Sequence, residues 1–177
     1  MQYKPEATDL VGTFDVVDDT IHISDPCYDL NTWCTGDVQN AKKGTWNAYV
    51  THGKTDWGHR CWELLAVHTK YPKTLPMPEK TDIDVGVDSG QAGIFTKSAY
   101  NGGEASDDYG SGWYDACCEL TLDSKLGGGV LDGGCVASTG FGDGSYDCFI
   151  ARDGMAKAIG IKLVFISESD FDYAEDD

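Results

Sequence analysis

Helical spacing of apolar residues occurs once in this chain, between Gly112 and Leu122, where Trp113, Ala116, Cys117 and Leu120 share one face of a short amphipathic segment. Elsewhere the apolar residues form short runs rich in β-branched and aromatic side chains, closed off by Gly, Asp and Pro, which is the chemistry of strands. Residues 11–17, 21–23, 45–50 and 61–68 read as extended. Residues 83–88 alternate, so that Asp84 and Asp88 share the face opposite the apolar one. The clearest hairpin joins 148–151 to 156–166, with Asp153-Gly154 expected as a type I′ turn pair. Residues 71–80 and 100–112 read as loops, and Gly127-Gly128-Gly129, lacking the Lys-Ser/Thr of a phosphate loop, reads as a flexible turn.

With 177 residues, the chain suffices for one core but not for two ordinary ones. The expected architecture is mainly β: a single domain over 1–169, an antiparallel two-layer sandwich-like fold with one short helix, followed by an acidic tail over 170–177. No apolar run is long enough to span a bilayer, and the first residues lack the basic-then-apolar pattern of a secretion signal. The expected compartment is the cytosol, with no membrane partner.

Seven cysteines, at 27, 34, 61, 117, 118, 135 and 148, include no C-x-x-C pair. Reduced, partly buried thiols packed as small hydrophobes are expected, in preference to a disulfide framework or a zinc knuckle. The net charge of −17 is uneven: seven bases against three acids in residues 41–80, and a large excess of acids on either side. Such a field repels polymeric nucleic acid. Within the basic segment, Trp46, Trp57, His59, Arg60, Trp62 and Tyr71 interleave with lysines, a composition that can stack a nucleotide-like small ligand. Alternation would put Arg60, Trp62 and Leu64 on one face, with Trp62 packed in the core or at its rim.

Three further clusters carry the candidate site: Ile23-Ser-Asp-Pro-Cys-Tyr28, Val87-Asp-Ser-Gly-Gln-Ala-Gly93 and Ser138-Thr-Gly-Phe-Gly-Asp-Gly-Ser-Tyr146. Dense glycine lets a backbone take positive φ and approach closely, while short acidic and hydroxyl side chains ring the bends. In order and spacing, with Trp113-Tyr114 between the second and third, the clusters resemble domain-of-unknown-function family 4241. That family comprises bacterial and bacteriophage proteins built around a D-P-C/S-Y, a V-D-S-G-Q-A-G and an S-G-Y-G-D-G-S-Y element. The resemblance spans roughly residues 20–166. It departs from the pattern at Thr139-Gly140-Phe141, where Ser-Gly-Tyr is commoner, and at Asp147-Cys148, which replaces a more apolar pair. It implies a β-rich domain and points to these segments without supplying a reaction.

The leading expectation is a binding domain, phage-borne in setting, whose pocket is lined by Asp25, Tyr28, Asp88, Ser89, Gln91, Gly142, Asp143, Ser145 and Tyr146 and takes a small polar ligand or cation. If a divalent cation is the cofactor, Asp25, Asp88 and Asp143 are the expected ligands, because hard cations need several oxygens. Each also has a purely structural reading: Asp25 before Pro26 as an Asx-turn, Asp143-Gly144 as hairpin chemistry. A Cys27–His pair or paired carboxylates leave catalysis open. The alternative is an acidic interaction or anti-defence protein that mimics nucleic acid and engages a basic protein partner through its surface.

Overall fold

The computed structural model describes residues 4–103 and 112–174, the last three by their backbone alone. Eleven strands are described: β1 Ala7–Val16, β2 Ile21–Ser24, β3 Gly36–Val38, β4 Gly44–Thr55, β5 Gly58–His68, β6 Glu79–Val87, β7 Gln91–Thr96, β8 Gly128–Leu131, β9 Gly134–Ser138, β10 Gly144–Arg152 and β11 Ala158–Val164. One α-helix, α1, spans Trp113–Leu122, and short 3₁₀ segments cover Lys97–Ala99 and Glu168–Ala174. The strands form two antiparallel sheets, ordered β1-β4-β5-β11-β10-β6 and β3-β2-β7-β9-β8. The mainly β, sandwich-like fold with one short helix therefore holds.

Between the sheets lies a core that includes Phe14, Trp46, Val50, Leu64, Ile94, Cys135, Ile150 and Leu163. Trp46 enters it without an orphaned donor because its indole N–H reaches the Lys42 carbonyl at 2.8 Å. Parts of the outer faces are also covered. On the five-stranded sheet, Phe95 and Val136 pack under Cys117, Trp113 and Leu120 of α1, which is why every residue of β7 is buried. On the six-stranded sheet, Leu75 and Met77 of the proline-rich loop cover Leu65, Val67 and Ile159.

Local geometry departs from the sequence reading in three places. The glycine run is no flexible turn: Gly128 and Gly129 belong to β8, and a Cβ on Gly129 would sit 2.7 Å from Leu120 of α1. The β10–β11 connection is no two-residue type I′ turn either. The Asp153 carboxylate accepts from the amides of Met155 and Lys157, and Ala156, with φ 64°, takes the left-handed position assigned to Gly154. On β5, Thr51 pairs with Glu63 but His52 pairs with Cys61, which leaves Trp62 as the extra residue of a β-bulge. The bulge breaks the alternation, so Cys61 and Leu64 both reach the core while Arg60 stays exposed. Trp62 is 2% exposed, and its carbonyl receives the amides of Phe165 and Ile166.

The expected boundary at residue 170 falls inside the second 3₁₀ segment, where Phe171 packs against Trp62 with ring centroids 5.7 Å apart. Residues 175–177 lie outside the described region, as does part of the 100–112 loop. Among the described residues no helix is long and apolar enough to cross a membrane.

Candidate functional site: an aromatic cleft beside a hydrogen-bonded corner

The chain passes between the sheets at two adjacent turns, 88–90 between β6 and β7 and 139–143 between β9 and β10. The turns are bonded to each other: the Thr139 amide donates to the Gly90 carbonyl at 3.1 Å, and the Gly90 amide donates to Asp143 Oδ1 at 3.0 Å. The end of β2 pins the first turn. Buried Asp25 accepts from the Cys27 amide at 2.9 Å, the Asp88 amide at 2.8 Å, the Ser89 amide at 2.7 Å and the Ser89 hydroxyl at 2.5 Å. Tyr28 donates to Asp88 at 2.5 Å. The three sequence clusters thus meet, and they meet as one sheet-crossing corner.

This meeting changes what the acidic residues can do. With four donors on its two oxygens, Asp25 has its charge compensated by the backbone and Ser89 and does not need a cation. Asp88 is engaged by Tyr28, Asp143 by Gly90, and Ser145 donates to Asp84. Gln91 is buried under the helix, donating to Cys118 Sγ at 3.4 Å and accepting from Thr121 at 3.2 Å. Tyr146 donates to the Gly142 carbonyl at 2.6 Å, closing the second turn from inside. Gly140 and Gly142 hold φ of 59° and 110°, and a Cβ on Gly140 would also lie 2.7 Å from Ile166.

Cys27, Cys61, Cys117 and Cys148 are poor nucleophiles. Burial, with Asp25 beside it, pushes the Cys27 thiol up to about 12. Burial also raises Cys61 to about 11, and Cys117 and Cys148 to about 12. Tyr28 is raised by burial and by the Asp88 carboxylate it donates to, so it remains a hydrogen-bond donor.

Beside the corner opens a cleft of about 860 Å³, lined on one side by Gly90 and residues 138–142 and on the other by Asp56, Trp57 and Arg60. Tyr146 and Phe165 also line it, as do Asp170 and Phe171. Trp57 sits in the two-residue tip of the β4–β5 hairpin, where Thr55 pairs with Gly58. The Thr55 hydroxyl donates to the Gly58 carbonyl and accepts from the Trp57 amide, and Arg60 donates to the Trp57 carbonyl at 3.0 Å. Phe141, at the tip of the facing turn, meets the Trp57 ring edge-on with centroids 5.3 Å apart. Both side chains remain exposed, Trp57 at 68% and Phe141 at 48%.

Of the residues expected to line a pocket, Gly142 and Tyr146 line this cleft; Asp25, Tyr28, Asp88, Ser89, Gln91, Asp143 and Ser145 build the corner behind it. Phe141 was within reach of sequence reasoning, since a large apolar residue between two glycines of a turn has nowhere to bury itself. The pairing of Phe141 with Trp57 was not, because the two lie far apart in the chain. No family model, curated protein or solved structure matches this chain.

Proposed function

We propose that the protein is a small-molecule binding domain whose site is the cleft between the β4–β5 hairpin tip and the 139–143 turn, and that its ligand is a planar heterocycle of the nucleoside class. One observation carries the reading: two large aromatic rings, on turns from different parts of the chain, meet at the cleft wall and keep about half or more of their surface in water. Two such rings paired at the wall of one cleft are placed to stack a base, an interaction that contributes about 1–3 kcal/mol. The cleft volume is within the usual range for small-ligand sites. Arg60, Asp56 and Asp170 offer polar contacts of both signs to a ring edge or ribose. The charge of −17 favours a compact ligand over a polynucleotide.

Kinship with domain-of-unknown-function family 4241 is part of the same proposal. It rests on the three co-ordered motifs, which gain a shared physical task as one corner. That kinship supports a bacterial or phage-borne setting, and the cytosolic compartment is proposed separately from the lack of an apolar run long enough to span a bilayer. The expected small polar ligand is narrowed, because the polar residues singled out in the sequence are engaged with each other while the rings remain exposed.

Titration with adenosine, adenosine 5′-monophosphate and methyl glucoside, read by tryptophan emission, tests the proposal. Adenosine is expected to quench Trp57, and Phe141→Ala to weaken binding at least ~10-fold. Response to the sugar alone, or affinity unchanged in Phe141→Ala and, measured by calorimetry, in Trp57→Ala, would overturn it.

A further inference from the structure

A second cluster lies on the β4–β5 hairpin arm within a few residues of the Trp57 tip, and the cleft proposal makes no use of it. His52 of β4 pairs with Cys61, and Lys54 with His59, so the two histidines are diagonal neighbours across the strands. Their rings approach to 2.7 Å between His52 Nδ1 and His59 Nε2. On its other side His52 Nε2 lies 2.6 Å from Asp9 Oδ2 of β1. His59 Nδ1 lies 3.9 Å from Glu6 Oε2. Glu6 is held there by its backbone, its amide donating to the His52 carbonyl at 2.7 Å. The close approach depends on Gly53, where a Cβ would lie 2.9 Å from the Pro5 Cα.

We infer that Glu6, His52 and His59 form a binding site for a divalent transition metal of the zinc class, with Asp9 as the residue that orients His52. The tautomer argument comes first. A carboxylate only accepts, so Asp9 fixes the His52 proton on Nε2 and leaves Nδ1 as a lone pair directed at His59. A carboxylate behind a histidine is the usual partner of a metal-ligating imidazole and raises its basicity. The lone pair facing His59 has to meet either a proton or a cation.

Donor type and charge decide which cation suits the site. One ligand atom from each of Glu6, His52 and His59 falls within a 4.8 Å group. Two imidazole nitrogens with one carboxylate oxygen match zinc and its neighbours and are a poor match for magnesium or calcium. Two carboxylates, Glu6 as ligand and Asp9 behind His52, balance a dipositive ion. Tetrahedral geometry with metal–nitrogen bonds of ~2.05 Å needs the two nitrogens ~3.3 Å apart, so the rings must open by about 0.6 Å. The His59 and Glu6 side chains are 44% and 45% exposed, which leaves both able to make that adjustment and leaves a route for the ion. The bound metal would tie the segment before β1 to the hairpin arm that carries Trp57.

The test uses the full chain, stripped with a chelator and titrated calorimetrically with zinc chloride and with magnesium chloride. One zinc per chain and no magnesium uptake are expected. His59→Ala and Glu6→Gln should abolish the zinc site, and Asp9→Asn should weaken it ~10–100-fold. Both ligand substitutions are at exposed side chains, so circular dichroism should remain that of the parent; buried His52 is left intact. Cobalt substitution reads the donor set independently, with visible d–d bands and no sulfur-to-cobalt charge transfer expected. Absence of zinc binding, wild-type affinity in both ligand variants, or a thiolate charge-transfer band would overturn the inference. Adenosine binding is read from a different residue, so either proposal can fail without the other.

Discussion

Replacing Asp25 by Asn would keep the shape of the side chain and reverse half of its hydrogen bonding. The amide oxygen could still accept from Ser89 and Cys27, but the amide NH₂ would face the donor amides of Asp88 and Ser89 at the positions now 2.8 and 2.7 Å away. Opposed donors in a buried site carry the desolvation penalty as well as the lost bonds. Asp25→Asn is therefore expected to destabilise the fold by about 3 kcal/mol, and Ser89→Ala by about 1 kcal/mol, measured as urea midpoints at constant slope. At this scale part was legible in the sequence: Asp25 before Pro26 already suggested an Asx-turn. What could not be read was the other half of each bond. Tyr28 finds Asp88, and Gly90 finds Asp143, only once the sheets are assembled.

The second crossing turn separates two ways in which glycine can be required. Gly140 combines a left-handed φ with a Cβ position 2.7 Å from Ile166, whereas nothing lies within 4 Å of the Cβ position at Gly142. Gly140→Ala is expected to lower stability by about 2–4 kcal/mol and Gly142→Ala by about 1–2 kcal/mol, compared by thermal melts. Element identity was readable where the period was clean, as in β6 and in α1 with its Trp113, Cys117 and Leu120 face. It failed where one residue changes phase or close packing replaces a side chain. The Trp62 bulge is set by pairing with β4, and Gly128–Gly129 is a strand because Val50 and Leu120 press on it. The β10–β11 turn was misread because Asp153 uses its side chain to select the longer loop.

For the whole molecule, acid is expected to act against the fold in two windows. Burial holds His22 below its usual 6.5, against the opposing hydrogen bond to Asp37, and burial likewise lowers His68. The unfolded chain therefore takes up these protons first, so stability present above about pH 6.5 is lost as pH falls toward the folded-state values, with a slope of at most ~1.4 kcal/mol per pH unit for His22. A second loss begins below about 3.8. Asp18 is held low first by the Ser98 amide, and at Asp37 the bonds from Lys97 and His22 outweigh an opposing burial effect. Urea midpoints between pH 8 and pH 3 should fall in both windows; a midpoint that rises on acidification below pH 6.5 would contradict the His22 assignment. In the proposed function the signature divides into a corner that holds the sheets and a cleft that takes the ligand. The most direct test of that division is adenosine affinity and melting temperature measured side by side in Phe141→Ala and Ser89→Ala. The division predicts that Phe141→Ala loses affinity at least ~10-fold with its melting temperature nearly unchanged, while Ser89→Ala melts earlier and still binds. Full binding in Phe141→Ala, or lost binding in a folded Ser89→Ala, would contradict it.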